Sequence, residues 1–103
     1  LLQEFPALEE VAFLNLSGQE TVRLNRAFDQ GVPADELQDQ ANIDKFKVAK
    51  EGKSYIGPIY FTLKGPMITV AQPVLNRNNI IIQVLTGEVN LSELQKKYYG
   101  NDK

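Results

Sequence analysis

Arg23 and Arg26, three positions apart, are the residues best suited to binding chemistry in this sequence. A guanidinium is a rigid fork of donors that pairs with a carboxylate through two parallel hydrogen bonds. Either arginine could therefore hold an anionic ligand. Either could equally be a cross-strand partner for Glu9, Glu10 or Glu20, a kind of exposed pairing that is common and weak. Tyr55 and Tyr60 flank Gly57-Pro58. A tyrosine has an apolar body and a polar tip, which suits a pocket wall as well as a packed core. On simple alternation Tyr60 and Thr62 share a strand face with Ile56 and Lys64. Thr69 shares a face with Ala71 and Pro73 and supplies that face's hydrogen-bonding side chain. Thr86 and Glu88 share a face further on, where Glu88 is expected to pair with a basic neighbour. The candidate ligand contacts are thus Arg23, Arg26, Tyr55, Tyr60, Thr62 and Thr69.

Composition removes most other chemistries. The chain of 103 residues has no histidine and no cysteine. Thiol nucleophiles, disulfides, iron–sulfur clusters and every His-dependent triad or metal site are excluded. The 13 acidic residues include Asp29, Asp35, Glu36, Asp39 and Asp44 in one stretch. Their spacing lacks the alternating oxygens and terminal glutamate of a calcium loop, so a solvated loop is expected. No glycine-rich phosphate cradle is present, and no cofactor or metal is expected. The net charge is −2, and the basic residues are scattered apart from Lys96-Lys97, which argues against a nucleic-acid partner. No apolar run approaches the roughly 20 residues of a membrane span. The sequence opens on Leu1-Leu2 rather than Met and is expected to be one domain, residues 1–103, cut from a larger protein.

Several short elements must position these side chains. Apolar residues at 1, 2, 5 and 8 read as a helix tail broken by Pro6. Residues 9–16 read as a strand apolar on both faces, and 20–27 as a half-buried strand, joined through Ser17-Gly18-Gln19. Residues 28–40 read as an acidic loop with a helical turn near Asp35. A helix is expected over 41–51, capped by Asn42 and stopped by Gly52. Three strands follow, at 54–64, 67–75 and 80–89, separated by Lys64-Gly65-Pro66 and Asn76-Arg77-Asn78-Asn79. The last is the most apolar and is expected at the centre. Asn90, with Glu93 three residues on, forms the capping box of a closing helix. Tight turns between most strands imply an antiparallel sheet. The expected class is α+β, with a five-stranded antiparallel PAS-like sheet flanked by helices.

The ordered set of segments resembles a known family. Gly52-Lys53-Ser54-Tyr55-Ile56-Gly57-Pro58-Ile59-Tyr60-Phe61 is similar to the entry into the sheet of Cache domains, the extracytoplasmic PAS-like sensors of membrane receptors. Pro66-Met67-Ile68-Thr69-Val70-Ala71-Gln72-Pro73-Val74 resembles their next strand, with one proline opening and another closing it. Val84-Leu85-Thr86-Gly87-Glu88-Val89-Asn90-Leu91-Ser92-Glu93-Leu94 resembles their last strand and following helix. Phe5-Pro6-Ala7-Leu8, Asn15-Leu16-Ser17-Gly18-Gln19-Glu20 and Arg23 are similar to the first hairpin. In this register Gln83 stands where the family usually has glycine, and the long N-terminal helix is missing or shortened. The resemblance is strongest to the membrane-distal lobe of a double Cache receptor such as a sensor histidine kinase. It implies a non-catalytic module that binds a small ligand, an organic anion or amino acid if an arginine lines the pocket. It also implies a membrane-anchored parent protein with histidine kinase or similar output, and a homodimer made through the missing helix. The competing expectation is a ligand-free spacer or dimerisation module of a membrane receptor.

Overall fold

In the computed structural model, which describes residues 2–26 and 31–99, the sheet forms from segments that each carry apolar residues on alternating positions. The strands are β1 (Leu8–Leu14), β2 (Glu20–Asn25), β3 (Tyr55–Ile56), β4 (Tyr60–Thr62), β5 (Gly65–Leu75) and β6 (Ile81–Asn90). Their order is β2-β1-β6-β5-β3, with β4 also pairing β5, and every pairing is antiparallel. Helix α1 (Asp44–Lys50) crosses between the hairpins, and α2 (Leu91–Tyr99) follows β6 directly. The expected α+β class and the central place of the last strand are both observed. The expected continuation of the second strand to Ala27 lies outside the described residues.

Three local readings need correction. The single strand expected over 54–64 is two short strands, because Gly57-Pro58 interrupts the edge. Proline has no N–H for the ladder and tends to break an edge strand. The sheet therefore has six strands along a five-position path. Helix α1 begins at Asp44 with Ile43 as its N-cap and no side-chain cap, so Asn42 does not cap it. The N-terminal residues form a 3-10 turn at Leu2–Glu4. Asn90 does cap α2: its Oδ1 accepts the backbone N–H groups of Ser92 and Glu93 at 2.9 and 3.2 Å.

Cross-strand partners point to the same side of a sheet. The register Leu14↔Val84, Ala12↔Thr86 and Thr86↔Ala71 therefore sets these residues on one face, with Tyr55 opposite Ala71. On that face Ala12, Leu14, Ala71 and Val84 form the core with Phe46 and Ala49 of α1, and Tyr55 packs against it. Phe46 and Ala49 are three apart, so one helix face meets the sheet. Burying a side chain such as Phe46 is worth about 1.5–3 kcal/mol. The opposite face carries Val11, Phe13, Leu24, Ile68, Val70 and Leu85, which are half-buried. The first strand is thus less covered on its second face than its apolar pattern suggests, since α1 lies on the other side.

A bulge between Phe13 and Leu14 pairs Leu14 with Glu20 and Phe13 with Val22, leaving Thr21 as the extra residue. It turns Glu20 to the same face as Arg23, three residues on. At the preceding turn, Asn15 Oδ1 accepts the N–H groups of Ser17 and Gln19. Gly18, at φ +89°, then lies flat against Ala41: a Cβ there would be 2.5 Å from the Ala41 Cα. Gln40 N–H donates to the Gly18 carbonyl at 2.7 Å, and Glu20 N–H to the Gln38 carbonyl at 2.8 Å. Residues 38–41 are in this way strapped to the start of β2, and they lead straight into α1.

Candidate functional site

The face that carries α1 also holds a cleft of about 330 Å³, lined by Gln40, Ile43, Lys45, Tyr55, Gly57, Pro58, Tyr60 and Thr69. Its floor comes from β5, where Thr69 pairs directly with Glu88 of β6. The break at Gly57-Pro58 builds one wall. Tyr55 faces Ala71 and Tyr60 faces Met67, both on the core side, although an unbroken strand would set positions 55 and 60 on opposite faces. Ile56, by contrast, turns outward and is 71% exposed. Gly57 is buried beneath the Tyr55 ring, where a Cβ would come within 3.1 Å of ring atoms. The strap and the first turn of α1 supply the other wall.

Two carboxylates organise the polar side of this region. Glu88 Oε1 accepts hydrogen bonds from the hydroxyls of Tyr60 and Thr69, each at 2.6 Å. Its Oε2 lies 3.5 Å from Lys45 Nζ, which ties α1 to the floor. The expected pairing of Glu88 with a basic neighbour is met by Lys45. Burial, reinforced by the hydrogen bond to Glu88 and its charge, pushes the Tyr60 hydroxyl up to about 12, so it stays a donor at neutral pH. Glu20 is the second carboxylate and is 3% exposed. It accepts from Gln38 N–H and from Gln40 Nε2, both at 2.9 Å. Arg23 Nε lies 3.2 Å from Glu20 Oε1, a charge contact without hydrogen-bond alignment. A buried carboxylate needs such partners to offset the loss of hydration. Gln40 Oε1, also buried, has no hydrogen-bond partner among the described residues.

Of the six residues expected to touch a ligand, the structure brings three to the cleft: Tyr55, Tyr60 and Thr69. Thr62 is not among its lining residues. Its hydroxyl sits in the β4–β5 turn, accepting Lys64 N–H and donating to the Gly65 carbonyl. Arg23 and Arg26 are not brought to the cleft either. Arg23 pairs with Glu10 and Glu20 and donates to the Glu36 carbonyl at 2.8 Å. Arg26 donates to the carbonyls of Leu2, Phe5 and Leu8 at 2.6, 2.8 and 2.8 Å, and its Nε lies 3.8 Å from Glu9. The cross-strand reading of both arginines is the one realised. Gln40, Ile43 and Lys45 are lining residues that sequence reasoning missed. They belong to a stretch whose local pattern reads as acidic loop and helix start, and only its strapping to β2 turns them inward. Among the described residues no group of acidic side chains is arranged to hold a metal ion.

With this geometry in view, solved structures supply the comparison. One is a domain of a sensory box/GGDEF family protein from Vibrio parahaemolyticus, with a TM-score of 0.68 and 19% identity, covering 93% of this chain and 41% of that one. Another is the extracellular domain of vpHK1S-Z8, assigned as a histidine kinase, with a TM-score of 0.71 and 21% identity, covering 93% and 38%. The chain shares its fold with part of each of these domains. A third is the sensory domain of the Campylobacter jejuni chemoreceptor Tlp3 with isoleucine bound, with a TM-score of 0.58 and 18% identity, covering 92% and 38%. The chain spans about two fifths of the length of these sensory domains. No protein-family model matches the sequence, and no curated protein matches it. The antiparallel α+β sheet expected from the sequence is therefore matched in shape by these domains, at identities where shape alone carries over.

Proposed function

We propose that the chain is the sensory, non-catalytic part of a membrane receptor, lying outside the cytoplasm, and that its cleft binds a small amino acid. The observation that carries this reading is the cleft, with its apolar walls and Lys45 among its lining residues, its ammonium paired with Glu88 behind them. Ile43, Pro58 and the two tyrosine rings offer apolar contact, while Lys45 and Glu88 lie within 3.5 Å of each other. A cleft with few polar groups and mostly apolar walls is the usual form of a small-molecule site, and this one is near the small end of the range. A zwitterion suits it better than a simple anion, because the arginines that would favour an anion are committed elsewhere. Lys45 would take the ligand's carboxylate, loosening its contact with Glu88. The isoleucine in the Campylobacter jejuni chemoreceptor domain supports the same ligand class.

Lys45 is also the route by which binding would be felt. It ties α1 to β6, and β6 runs without a break into α2. A ligand that binds one packing of α1 better than another shifts the balance between them. The signal would pass from the terminal helix to a histidine kinase or comparable output.

A thermal-unfolding panel of the free L-amino acids, with matched carboxylic acids, tests this reading. A ligand at a hundred times its Kd adds about 2.7 kcal/mol, which would raise the midpoint clearly in a domain of this size. Saturable stabilisation by one or a few amino acids is expected. No stabilisation across the panel, with concentration-dependent association in sedimentation, would replace this reading with that of a ligand-free dimerisation module.

A further inference from the structure

We infer that Gln40 is the acceptor that selects a ligand's amino group, and that Glu20 behind it is the positioning residue that aims it. The inference rests on the amino-acid-binding reading above. Gln40 is 8% exposed and lines the cleft. Its Nε2 donates to Glu20 Oε2 at 2.9 Å. This bond fixes which way round the amide sits: turned over, the amide oxygen would face a carboxylate oxygen, and neither could donate. The oxygen Oε1 is therefore held away from Glu20. It is the one buried side-chain acceptor without a partner among the described residues. Buried acceptors are seldom left unpaired in native proteins, and those that are call for an explanation such as a bound group.

Three of the cleft's other polar side chains are turned to Glu88. The Tyr60 and Thr69 hydroxyls are both given to Glu88 Oε1, and Lys45 faces Oε2. The Gln40 oxygen stays an unpaired acceptor beside them, and an acceptor selects a donor. The carboxylate of Glu20, drawing on the Nε2 side of the amide, polarises it and strengthens the oxygen as an acceptor. An ammonium is the donor that gains most from this, since charge-assisted hydrogen bonds are the stronger kind. The position of Gln40 is set by the backbone as well as by Glu20. Its N–H is bonded to the Gly18 carbonyl, and the neighbouring Ala41 is packed against Gly18. The acceptor is thus held in place before any ligand arrives.

The test is calorimetric titration of the full chain with three probes. They are the L-amino acid that stabilises it most in the thermal panel, the matching 2-hydroxy acid and the deaminated acid. The amino acid should bind about ten- to a hundredfold more tightly than the deaminated acid, with the hydroxy acid between them. In Gln40→Met that preference should fall at least about tenfold while the deaminated acid binds as before. Glu20→Gln is isosteric and keeps a partner behind the amide, so it serves if Gln40→Met does not fold. It should lower the preference by freeing the amide to turn. Wild-type binding with no preference for the amine, or a preference unchanged in either folded variant, would overturn the assignment and leave the sensory reading standing. No amino acid binding to the wild type would overturn both.

Discussion

Arg26 and Gln40 both fasten irregular chain to the same sheet, and they differ in what they leave over. Arg26, just beyond β2, uses its fork to hold three carbonyls of the N-terminal segment and sits beside Glu9. Glu9 is itself shared with Lys64 at 2.9 Å and Asn90 at 3.4 Å. The polar groups in this cluster find their partners within the chain. At the cleft, Gln40 is held as firmly, by Gly18 and Glu20, yet its oxygen is left without a partner among the described residues. A closed polar cluster stabilises a fold, whereas a rigid one with an open acceptor is prepared for something outside the chain. One of the two arginines with the chemistry of a ligand contact is engaged within the chain, and an unremarked glutamine keeps an unpaired acceptor.

The strap at the cleft is where this contrast breaks most easily. Gly18→Ala would place a Cβ 2.5 Å from the Ala41 Cα and 2.7 Å from its N, at φ +89°. The contacts are with backbone, so no side chain can swing away. Left-handed backbone alone costs about 1–2 kcal/mol for a residue with a Cβ, and with the clash we expect a loss of about 3 kcal/mol. Urea denaturation measures it. The same variant should weaken amino-acid binding more than its stability loss alone explains, because Gln40 moves with Ala41. Unchanged affinity in the folded fraction would separate the strap from the site.

Arg26→Ala is the matching break at the closed cluster. It removes charge-assisted donors from three carbonyls, partly exposed, and should cost about 2 kcal/mol. Amino-acid affinity should stay within about twofold of wild type. A selective loss of affinity would return Arg26 to the ligand contacts.

The sheet was legible in the sequence because its signals are local. Ser17-Gly18-Gln19 and Asn76-Arg77-Asn78-Asn79 are turns by composition, and each has an asparagine side chain bonding the backbone two residues on. Period-two patterning put Thr69, Ala71 and Pro73 on one face, and Thr86 and Glu88 on one face, as observed. Tyr60 was the instructive case. Alternation grouped it with Ile56, but Gly57-Pro58 breaks the edge and resets the phase, so it joins Tyr55 instead. The bulge at Thr21 resets phase in the same way and brings Glu20 beside Arg23. Gln40 and Lys45 carry no local signal, since their place depends on contacts with residues about 20 positions upstream and 40 downstream. Charge alone does not show where an arginine turns: Arg23 and Arg26 have the chemistry of ligand contacts, and three carboxylates and four carbonyls of the chain itself are their partners in the structure.

The smallest effect sharpens the comparison at two adjacent residues. Glu9, the extra residue of a bulge between Leu8 and Glu10, belongs to the closed cluster; Glu10 faces Glu88 across β1 and β6, at the edge of the cleft region. Burial raises the carboxyl of Glu10, and the nearby charges of Glu88 and Glu20 add to this against the opposing pull of Arg23 and Lys45. Burial also acts to raise Glu9, but hydrogen bonds from Lys64 and Asn90, with the charges of Lys64 and Arg26, hold it below the ordinary value. A group raised by folding favours the fold below its unfolded value, and that benefit is lost as pH rises through the folded value. A group lowered by folding favours the fold above its unfolded value, and the benefit is lost as pH falls through the folded one. At neutral pH, therefore, Glu10→Gln should stabilise the chain by about half a kcal/mol, since like charges opposite one another in a sheet cost that order. Glu9→Gln should destabilise it. Both differences should shrink as pH falls through the carboxylate range, where the wild-type side chains become neutral too. Denaturation series at several pH values read this directly. Two variants moving in the same direction at neutral pH would show that the clusters around these neighbours do not differ in the way the structure indicates.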